Sequence, residues 1–443
     1  MPDEIYVATA RLIEYKAAGL SDEATALKLG RRPKTVQRVG CQNSITPLTS
    51  GFLLARERPD RCLEPDAEPH KPQESQNSQR ELRHAPCELE GQRRDRVLTP
   101  HTPSRGVSCE THAWASPMVS VRELRATGMG DAMRVVRDLG DGVEVVDAPE
   151  PSAEGALIAV QSAGICGSDF GYLAAGSRFV LGHELAGLDE SGRAFALEPS
   201  FGCGTCELCT SGHYNLCPTA LGSVPGLTRD GGMADFVCVP DEKLVSLPDG
   251  LDVRDASLVE PTAVAWHGLH RGGVSAEMSV AVVGGGAIGL LAVAVAAAMG
   301  APDVALRARY GFQREAGERL GATEPGGKYD VVVEAAGAPA AVAEAIELCA
   351  PGGTVVVLGV HAEPLTLPFL DAFVKEVKLV PAMAYCRGVH GRDVEKSARM
   401  LADRPEIVAT LVTHRFGLDD APEAFRVAGA RGASGAIKVM VHP

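Results

Sequence analysis

The sequence lacks three features that would each place it in a particular class of protein. No run of about 18 residues is apolar throughout, and the most apolar stretch, Val280 to Met299, is interrupted by four glycines. The N-terminus has no basic segment followed by an apolar one, so no secretion signal is expected. The net charge is -14 rather than positive, which argues against non-specific binding to nucleic acid. We therefore expect a cytoplasmic protein without a membrane span, for which nucleic acid is an unlikely partner.

Residues 1–117 differ in composition from the rest of the chain. They carry 17 basic and 16 acidic side chains, whereas the remainder carries 26 and 41. The segment from Arg56 to Ser116 is poor in aromatic residues and has no sustained apolar period, so it cannot bury enough surface to offset its chain entropy. We predict that this N-terminal extension is largely disordered.

Residues 4–40 of the extension have a different pattern, which resembles a bacterial helix-turn-helix. In that hypothesis the side chains that face DNA are Lys34, Thr35, Gln37 and Arg38. The alternative is a remnant of a neighbouring gene or a start codon placed too far upstream, because methionines recur at positions 118, 129 and 133.

Four cysteines lie close together in the middle of the chain, at Cys203, Cys206, Cys209 and Cys217. Four thiolates at this spacing can close a tetrahedral shell around one zinc ion and leave no position for substrate. A disulfide pair or chance clustering is the alternative, but a long acidic chain without a secretion signal favours metal. We predict a structural zinc lobe and look elsewhere for the chemistry.

The regular part of the chain has two kinds of pattern. Arg134 to Ala148 and Ala156 to Gly164 alternate like strands, and Met233 to Pro248 continues in β fashion. From Val280 onwards strands alternate with helices, which is typical of a doubly wound parallel sheet. The closing strand, Gly435 to Val441, is expected to return to the β-rich part.

A glycine-rich turn follows the strand Val280–Val283 and opens a helix. Gly284 makes the tight turn, Gly286 lets the backbone approach a pyrophosphate, and Gly289 allows close packing of helix on strand. Ile288 lies within this motif. The strand-turn-helix context makes the motif a strong indication of a dinucleotide site.

The end of the next strand indicates which dinucleotide binds. An NAD enzyme places an acidic side chain there to accept hydrogen bonds from the ribose. This chain has Ala308 at that position, flanked by Arg307 and Arg309. A small residue beside arginines leaves room and charge for a 2′-phosphate, so NADP(H) is favoured over NAD(H). Solvated surface arginines are the alternative.

Three residue types from separate segments suggest a second, open zinc site. Cys166 follows a strand in Gly-Ile-Cys-Gly-Ser-Asp, His183 lies in Gly-His-Glu, and Glu260 precedes a proline. A cysteine, a histidine and a carboxylate can hold zinc and leave a fourth position for water or substrate.

These motifs occur in the order found in the zinc-dependent medium-chain alcohol/polyol dehydrogenases, which the chain resembles from Met133 to Pro443. The Glu-Pro form is similar to the sorbitol and threonine dehydrogenase branch. The resemblance implies a GroES-like β-rich catalytic domain, at 133–270 and 415–443, and a Rossmann dinucleotide-binding domain at 271–414. It also implies a homodimer or homotetramer acting on a small alcohol or carbonyl substrate.

The resemblance also assigns roles to residues. Cys166, His183 and Glu260 match the catalytic zinc ligands, Glu184 matches a carboxylate beside the metal that can enter its shell, and Ser168 matches the hydroxyl that takes the substrate proton. With the four-cysteine lobe, two zinc ions per chain are expected. Many relatives have a histidine a few residues after the catalytic cysteine, whereas this chain has Phe170-Gly171-Tyr172.

Two other functions stay open at this level. One is a zinc-free reductase of the same superfamily, which the retained Cys166, His183 and Glu260 argue against. The other is a DNA-binding regulator that uses residues 4–40 and a dehydrogenase-like body as its ligand sensor.

Overall fold

The computed structural model describes residues 132–140, 142–152, 155–199, 202–361, 364–389 and 391–443. The predictions made for residues 1–117, both the disorder and the helix-turn-helix, lie outside these ranges. No helix in the described ranges has the length and apolarity needed to cross a bilayer.

Sixteen strands occur in the described residues. In chain order β1 to β16 they are Ala132–Asp138, Val143–Pro149, Ala156–Gly164, Glu184–Leu188, Ala194–Leu197, Phe236–Val239, Leu244–Ser246, Val280–Val283, Val304–Arg307, Tyr329–Glu334, Cys349–Val357, Lys378–Pro381, Arg387–Gly388, Gly391–Arg392, Val412–Gly417 and Lys438–His442.

Eleven α-helices accompany them in the same residues. As α1 to α11 they are Gly167–Ala174, Glu207–Thr210, Val259–Arg271, Ala287–Ala298, Gly311–Arg319, Pro339–Leu348, Phe369–Val374, Asp393–Asp403, Pro405–Leu411, Ala421–Gly429 and Arg431–Ser434. Short 3-10 turns lie at Tyr214–Leu216, Ala220–Ser223, Asp241–Lys243, Ala256–Leu258 and Leu418–Asp420.

Two main sheets organise the structure. The first has seven strands in the order β15-β16-β3-β4-β5-β7, with β6 paired to β3. The second is a parallel sheet in the order β12-β11-β10-β8-β9. The parallel order, with a helix between successive strands, is the predicted doubly wound arrangement. The closing strand β16 pairs antiparallel with β3, so the chain returns to the β-rich part as predicted.

The stretch from Arg134 to Ala148 is not one strand. It forms the antiparallel pair β1–β2, with Gly140 at φ +105° and Gly142 at φ +147° in the connection. Such φ values favour glycine, because a Cβ is strained in this region. Both halves of the stretch are strands, whereas the sequence pattern does not predict the reversal at the glycines.

Helix α3 connects the two sheets. It packs against α4 and α8 and against strands β4 and β11, which belong to different sheets. A single apolar core accordingly extends from Ala186 and Val245 on one side to Val282 and Leu291 on the other. The first turn of α3 therefore lies where the two sheets approach each other, which positions Glu260.

Candidate active site, zinc lobe and cofactor loop

Cys166 caps the helix that follows strand β3. It has an extended backbone at φ -96° and ψ 155°, and its N–H donates to Asp169 Oδ2 at 2.9 Å. An N-cap residue whose backbone N–H donates to a side chain three residues later fixes the start of the helix. The Cys166 thiol is therefore held at the end of a central strand, with Ser168 in the first turn beyond it.

His183 and Glu184 are placed by two glycines. Gly182 has φ +94°, and a Cβ there would lie 2.8 Å from the Met233 nitrogen. Glu184 begins β4 opposite Gly164 of β3, where a Cβ would lie 2.0 Å from Glu184 Oε2. The carboxylate thus occupies space that only a glycine leaves open.

The predicted cysteine and histidine come together with Glu184. One ligand atom each from Cys166, His183 and Glu184 lie within 4.8 Å of one another. His183 Nε2 is 3.3 Å from Ser168 Oγ, and its Nδ1 is 3.3 Å from Asp169 Oδ1, close but poorly aligned for a hydrogen bond. A carboxylate at one ring nitrogen directs the other toward a metal. The donor set of sulfur, imidazole and carboxylate suits zinc.

Glu260 lies beside this group rather than within it. It is 9% exposed in the first turn of α3 and has the Tyr385 hydroxyl as a polar neighbour. The pKa of Glu260 is raised to about 7, mainly by burial; His183 opposes this increase and Glu184 adds to it. Glu184, rather than the expected Glu260, lies in the cluster with Cys166 and His183. The assignment of Glu260 as a zinc ligand therefore stays a prediction.

Lys438 is a site residue that the sequence analysis missed. Its Nζ lies 2.7 Å from both carboxylate oxygens of Glu184 and 3.1 Å from the Ile165 carbonyl, and its side chain is 3% exposed. Burial alone would lower the pKa of Lys438, but Glu184 outweighs it and raises the pKa. A single lysine inside the apolar closing strand was the available signal, because a buried ammonium needs a buried partner.

Tyr172 is a second residue without an assigned role. Its ring lies 5.8 Å from the His183 ring, and Ser168 is a polar neighbour of its hydroxyl. Burial raises the pKa of Tyr172. Tyr172 is thus a polar neighbour of Ser168 within Phe170-Gly171-Tyr172, the segment where many relatives have a histidine.

The four-cysteine lobe has the geometry of a closed metal shell. The sulfurs of Cys203 and Cys209 are 3.9 Å apart, and those of Cys206 and Cys217 are 3.8 Å apart. Tetrahedral zinc with Zn–S bonds of about 2.3 Å requires edges of about 3.8 Å. A disulfide would need about 2.05 Å, and all four cysteines are free. The lobe residues therefore fit one structural zinc.

A buried polar network connects this lobe to the far end of α3. Asp393 lies 3.3 and 3.4 Å from the Nδ1 atoms of His267 and His270, and it accepts a hydrogen bond from the Cys386 N–H at 3.2 Å. Burial would raise the pKa of Asp393, but these donors lower it to about 2. Asn215 from the lobe contacts His267 Nε2 at 3.4 Å. This network fixes the segment that carries Tyr385 next to Glu260.

The glycine-rich motif forms the predicted turn between β8 and α4. Gly284 has φ +116°, and Gly286 is the N-cap residue of a helix of 12 residues. A Cβ on Gly289 would lie 1.8 Å from the Gly284 carbonyl oxygen. Ile288 lies in the first turn of the same helix. The backbone N–H groups at this terminus are left to bind phosphate.

The residues that end β9 are not equivalent. Arg307 pairs with Glu344 at 3.0 Å and with Glu324 at 3.4 Å, so its charge is already partnered. Ala308 is buried, and the Arg309 guanidinium lies over the Tyr310 ring, 5.5 Å from its centroid. Of the two predicted arginines, Arg309 is the one without a carboxylate partner among the described residues.

Comparison with known proteins agrees with this geometry. Family models described as "Alcohol dehydrogenase GroES-like domain" and "Zinc-binding dehydrogenase" match residues 152–249 and 324–403. A sorbitol dehydrogenase of Macaca fascicularis is 33% identical over 329 residues, which are 66% of this chain and 90% of the relative. D-xylulose reductase A of Aspergillus oryzae is 31% identical over 326 residues, 64% of this chain and 89% of that protein.

The chain belongs to the zinc-dependent medium-chain alcohol/polyol dehydrogenase family.

Solved structures show the same fold. A protein described as a zinc-binding dehydrogenase from Sinorhizobium meliloti 1021, bound to NADP, has a TM-score of 0.62 and 30% identity, covering 70% of this chain and 99% of its own. L-idonate 5-dehydrogenase of Escherichia coli has a TM-score of 0.63 and 25% identity, covering 70% and 98%. This dehydrogenase is thus an oxidoreductase of the alcohol dehydrogenase type, and the predictions of family, fold class and enzyme type are confirmed. Zinc, a nicotinamide cofactor and small-molecule substrates come with the family.

Proposed function

We propose that this dehydrogenase oxidises a polyol or secondary alcohol, and reduces the matching ketone, at a zinc ion held by Cys166, His183 and Glu184. The observation that carries the proposal is the convergence of these three donors within 4.8 Å beside the Ser168 hydroxyl. Three protein ligands leave a fourth position for the substrate oxygen. The names of the curated relatives, sorbitol dehydrogenase and D-xylulose reductase A, support a polyol and its ketose.

The protein side chains manage the proton. Bound zinc supplies a Lewis acid that lowers the pKa of an alcohol, and the hydride chemistry belongs to the nicotinamide. The Ser168 hydroxyl, 3.3 Å from His183 Nε2, would accept the proton of the substrate hydroxyl and at the same time pass on its own. The Tyr172 hydroxyl, a polar neighbour of Ser168, is the next group on that path. The Asp169 carboxylate, 3.3 Å from His183 Nδ1, would stabilise positive charge on the ring from that side.

The role of Glu260 can be separated from that of Glu184 by metal analysis. We keep Glu260 as the alternative third ligand, because it is buried next to the cluster and interacts with both His183 and Glu184. If Glu184 is the third ligand, Glu184→Gln should lose the zinc bound by Cys166 and His183, which we call the cleft zinc. Retention of that zinc by Glu184→Gln, together with its loss from Glu260→Gln, would return the role to Glu260.

The second zinc is proposed for the four-cysteine lobe, with a structural role. Its sulfur spacings, 3.8 and 3.9 Å, support a four-thiolate shell. Free thiols in this number also favour a reducing compartment, in keeping with a cytoplasmic location.

NADP(H) is the proposed cofactor form. A buried alanine at position 308 leaves room where an acidic side chain would repel a 2′-phosphate, and the next residue is Arg309, whose guanidinium lies over the Tyr310 ring. Arg307 contributes little to this proposal, because Glu344 and Glu324 already neutralise it. The structural relative at 30% identity was solved with NADP.

A homodimer through the parallel sheet is the proposed assembly. Strand β12 lies at the edge of that sheet, so one side of its backbone is unpaired within the described residues. The adjacent helix α7 exposes four large apolar side chains, Phe369, Leu370, Phe373 and Val374, each at least 68% exposed. Phe373→Glu should convert a dimer to a monomer in light scattering, and an unchanged mass would contradict this assembly.

The boundaries between the catalytic domain and the dinucleotide-binding domain, at residues 270/271 and 414/415, also stay a proposal.

One assay tests the proposed function. Purified protein with measured zinc content is screened with polyols, amino alcohols and aldehydes, with NAD and with NADP, and absorbance of the reduced cofactor is followed. Turnover of a polyol that Cys166→Ser abolishes is the expected result. Turnover of a carbonyl by zinc-free protein would favour the zinc-free reductase instead.

The DNA-binding hypothesis concerns residues outside the described ranges. A gel-shift measurement with the full chain and with a chain that starts at Met118 tests it. A shift that depends on residues 1–117 would support it.

A further inference from the structure

Arg431 lies between two segments of the chain. One is the start of α1 directly after Cys166, which we call the catalytic loop, and the other is the glycine-rich turn at 284–289, which we call the cofactor loop. Arg431 Nη2 is 3.6 Å from the place that a Cβ on Gly167 would occupy, directly after Cys166. Its Nη1 is 3.9 Å from the corresponding place on Gly286, the N-cap of α4. One guanidinium thus reaches both the residue next to the predicted catalytic cysteine and the glycine that approaches the pyrophosphate.

Among the described residues, no carboxylate neutralises the charge of Arg431. Its Nε donates to the Ala428 carbonyl at 3.2 Å, and it forms no ion pair with a carboxylate among the residues that the structure describes. Arg307 differs in this respect, since it has two acidic neighbours. A half-buried guanidinium with its fork free is suited to a doubly charged phosphate group.

The chain around Arg431 also fits the cofactor cleft. A Cβ on the next residue, Gly432, would lie 2.8 Å from the Tyr310 hydroxyl, so α11 packs directly on the residue that follows Arg309. The C-terminal segment therefore covers the cofactor loop on one side and the end of β9 on the other. Gly167 and Gly286 present no side chain that would fill the space in front of Arg431.

We propose that Arg431 binds the pyrophosphate of the nicotinamide cofactor and so draws the catalytic loop toward the cofactor loop. This inference rests on the proposed cofactor site. It adds Arg431 to that site, although Arg431 lies more than 140 positions after the glycine motif in the sequence. Arg431 is thereby a cofactor-positioning residue, because it contacts the phosphate linker rather than the reacting carbon. Two charge-assisted hydrogen bonds to phosphate should be worth about a ten- to hundredfold change in Kd.

The test compares ligands with and without a pyrophosphate. Binding of NADPH is measured by its fluorescence, and binding of adenosine 2′-monophosphate, which lacks the pyrophosphate, by calorimetry. The variants are Arg431→Met, which keeps much of the side-chain volume, and Arg431→Lys, which keeps the charge without the fork. Arg426→Met is the matched control, since Arg426 is exposed and pairs with Glu423.

Arg431→Met is expected to weaken NADPH about ten- to a hundredfold and to leave the adenosine fragment within about twofold, with Arg431→Lys between the two. Equal weakening of both ligands, with a lower melting temperature, would overturn the proposal in favour of a structural role through Ala428. Unchanged NADPH binding would also overturn it. If the wild-type protein binds NADPH but turns over no alcohol, the proposed function fails while the ratio of the two affinities still decides on Arg431.

Discussion

Removal of the Lys438 charge gives the sharpest prediction for the folded state. Lys438 is 3% exposed, and its Nζ lies 2.7 Å from both oxygens of Glu184. At an effective dielectric constant of about 20, a pair at this distance gains about 6 kcal/mol before desolvation is counted. Loss of one partner of a buried pair typically costs about 3–5 kcal/mol, because the other charge stays buried without compensation. We expect Lys438→Met to cost this amount, since Glu260 adds a second carboxylate nearby.

Urea unfolding at pH 7.5 of protein from which zinc has been removed measures this cost, because zinc bound to Glu184 would itself compensate the carboxylate. The matched control is the double variant Lys438→Met with Glu184→Gln, in which both charges are removed. The double variant should recover at least half of the loss if the cost arises from the uncompensated carboxylate. A loss below about 1 kcal/mol, or a double variant less stable than Lys438→Met, would refute the reasoning.

Other predictions follow from the same contacts. Because the native pKa of Asp393 is about 2 rather than its usual 3.8, its charge stabilises the fold above about pH 4, and this contribution is lost as the pH falls through 2. Asp393→Asn should therefore lower the unfolding free energy by about 2 kcal/mol at pH 7 and by about half as much at pH 3, and a gap independent of pH would contradict this. Cys209→Ser should remove one zinc per chain and lower the melting temperature while the cleft zinc remains, as metal analysis can show. Arg309→Gln should raise the KM for NADP about tenfold with little change for NAD, whereas equal changes for both would count against a 2′-phosphate contact.

The sequence was most informative where chemistry depends on local spacing. The four cysteines and the glycines of the cofactor turn lie within short segments, so their spacing alone predicted the metal lobe and the strand-turn-helix. The parallel sheet followed from alternating strands and helices, and strand β8 has the predicted bounds. The hairpin at Gly140 and Gly142 was missed, because β alternation continues on both sides of a turn.

The contacts that complete the site come from distant parts of the chain. Lys438 and Glu184 are 254 residues apart, and no spacing rule relates them. Tyr385 reaches Glu260, and Arg431 reaches Gly286, only because the C-terminal segments return to the first sheet and the cofactor loop. The choice between Glu184 and Glu260 depends on which carboxylate the fold points at Cys166. Which of two carboxylates binds the metal depends on the three-dimensional arrangement, whereas the types of residue that bind it could be predicted from the sequence.

Cys166 is proposed to hold the zinc at which an alcohol is oxidised. This is tested by measuring zinc per chain and polyol-dependent reduction of NADP for the wild-type protein and for Cys166→Ser. We expect two zinc ions and turnover for the wild type, and one zinc, still in the lobe, without turnover for the variant. Turnover by a Cys166→Ser protein that has lost one zinc, or an unchanged zinc content in an inactive one, would contradict it.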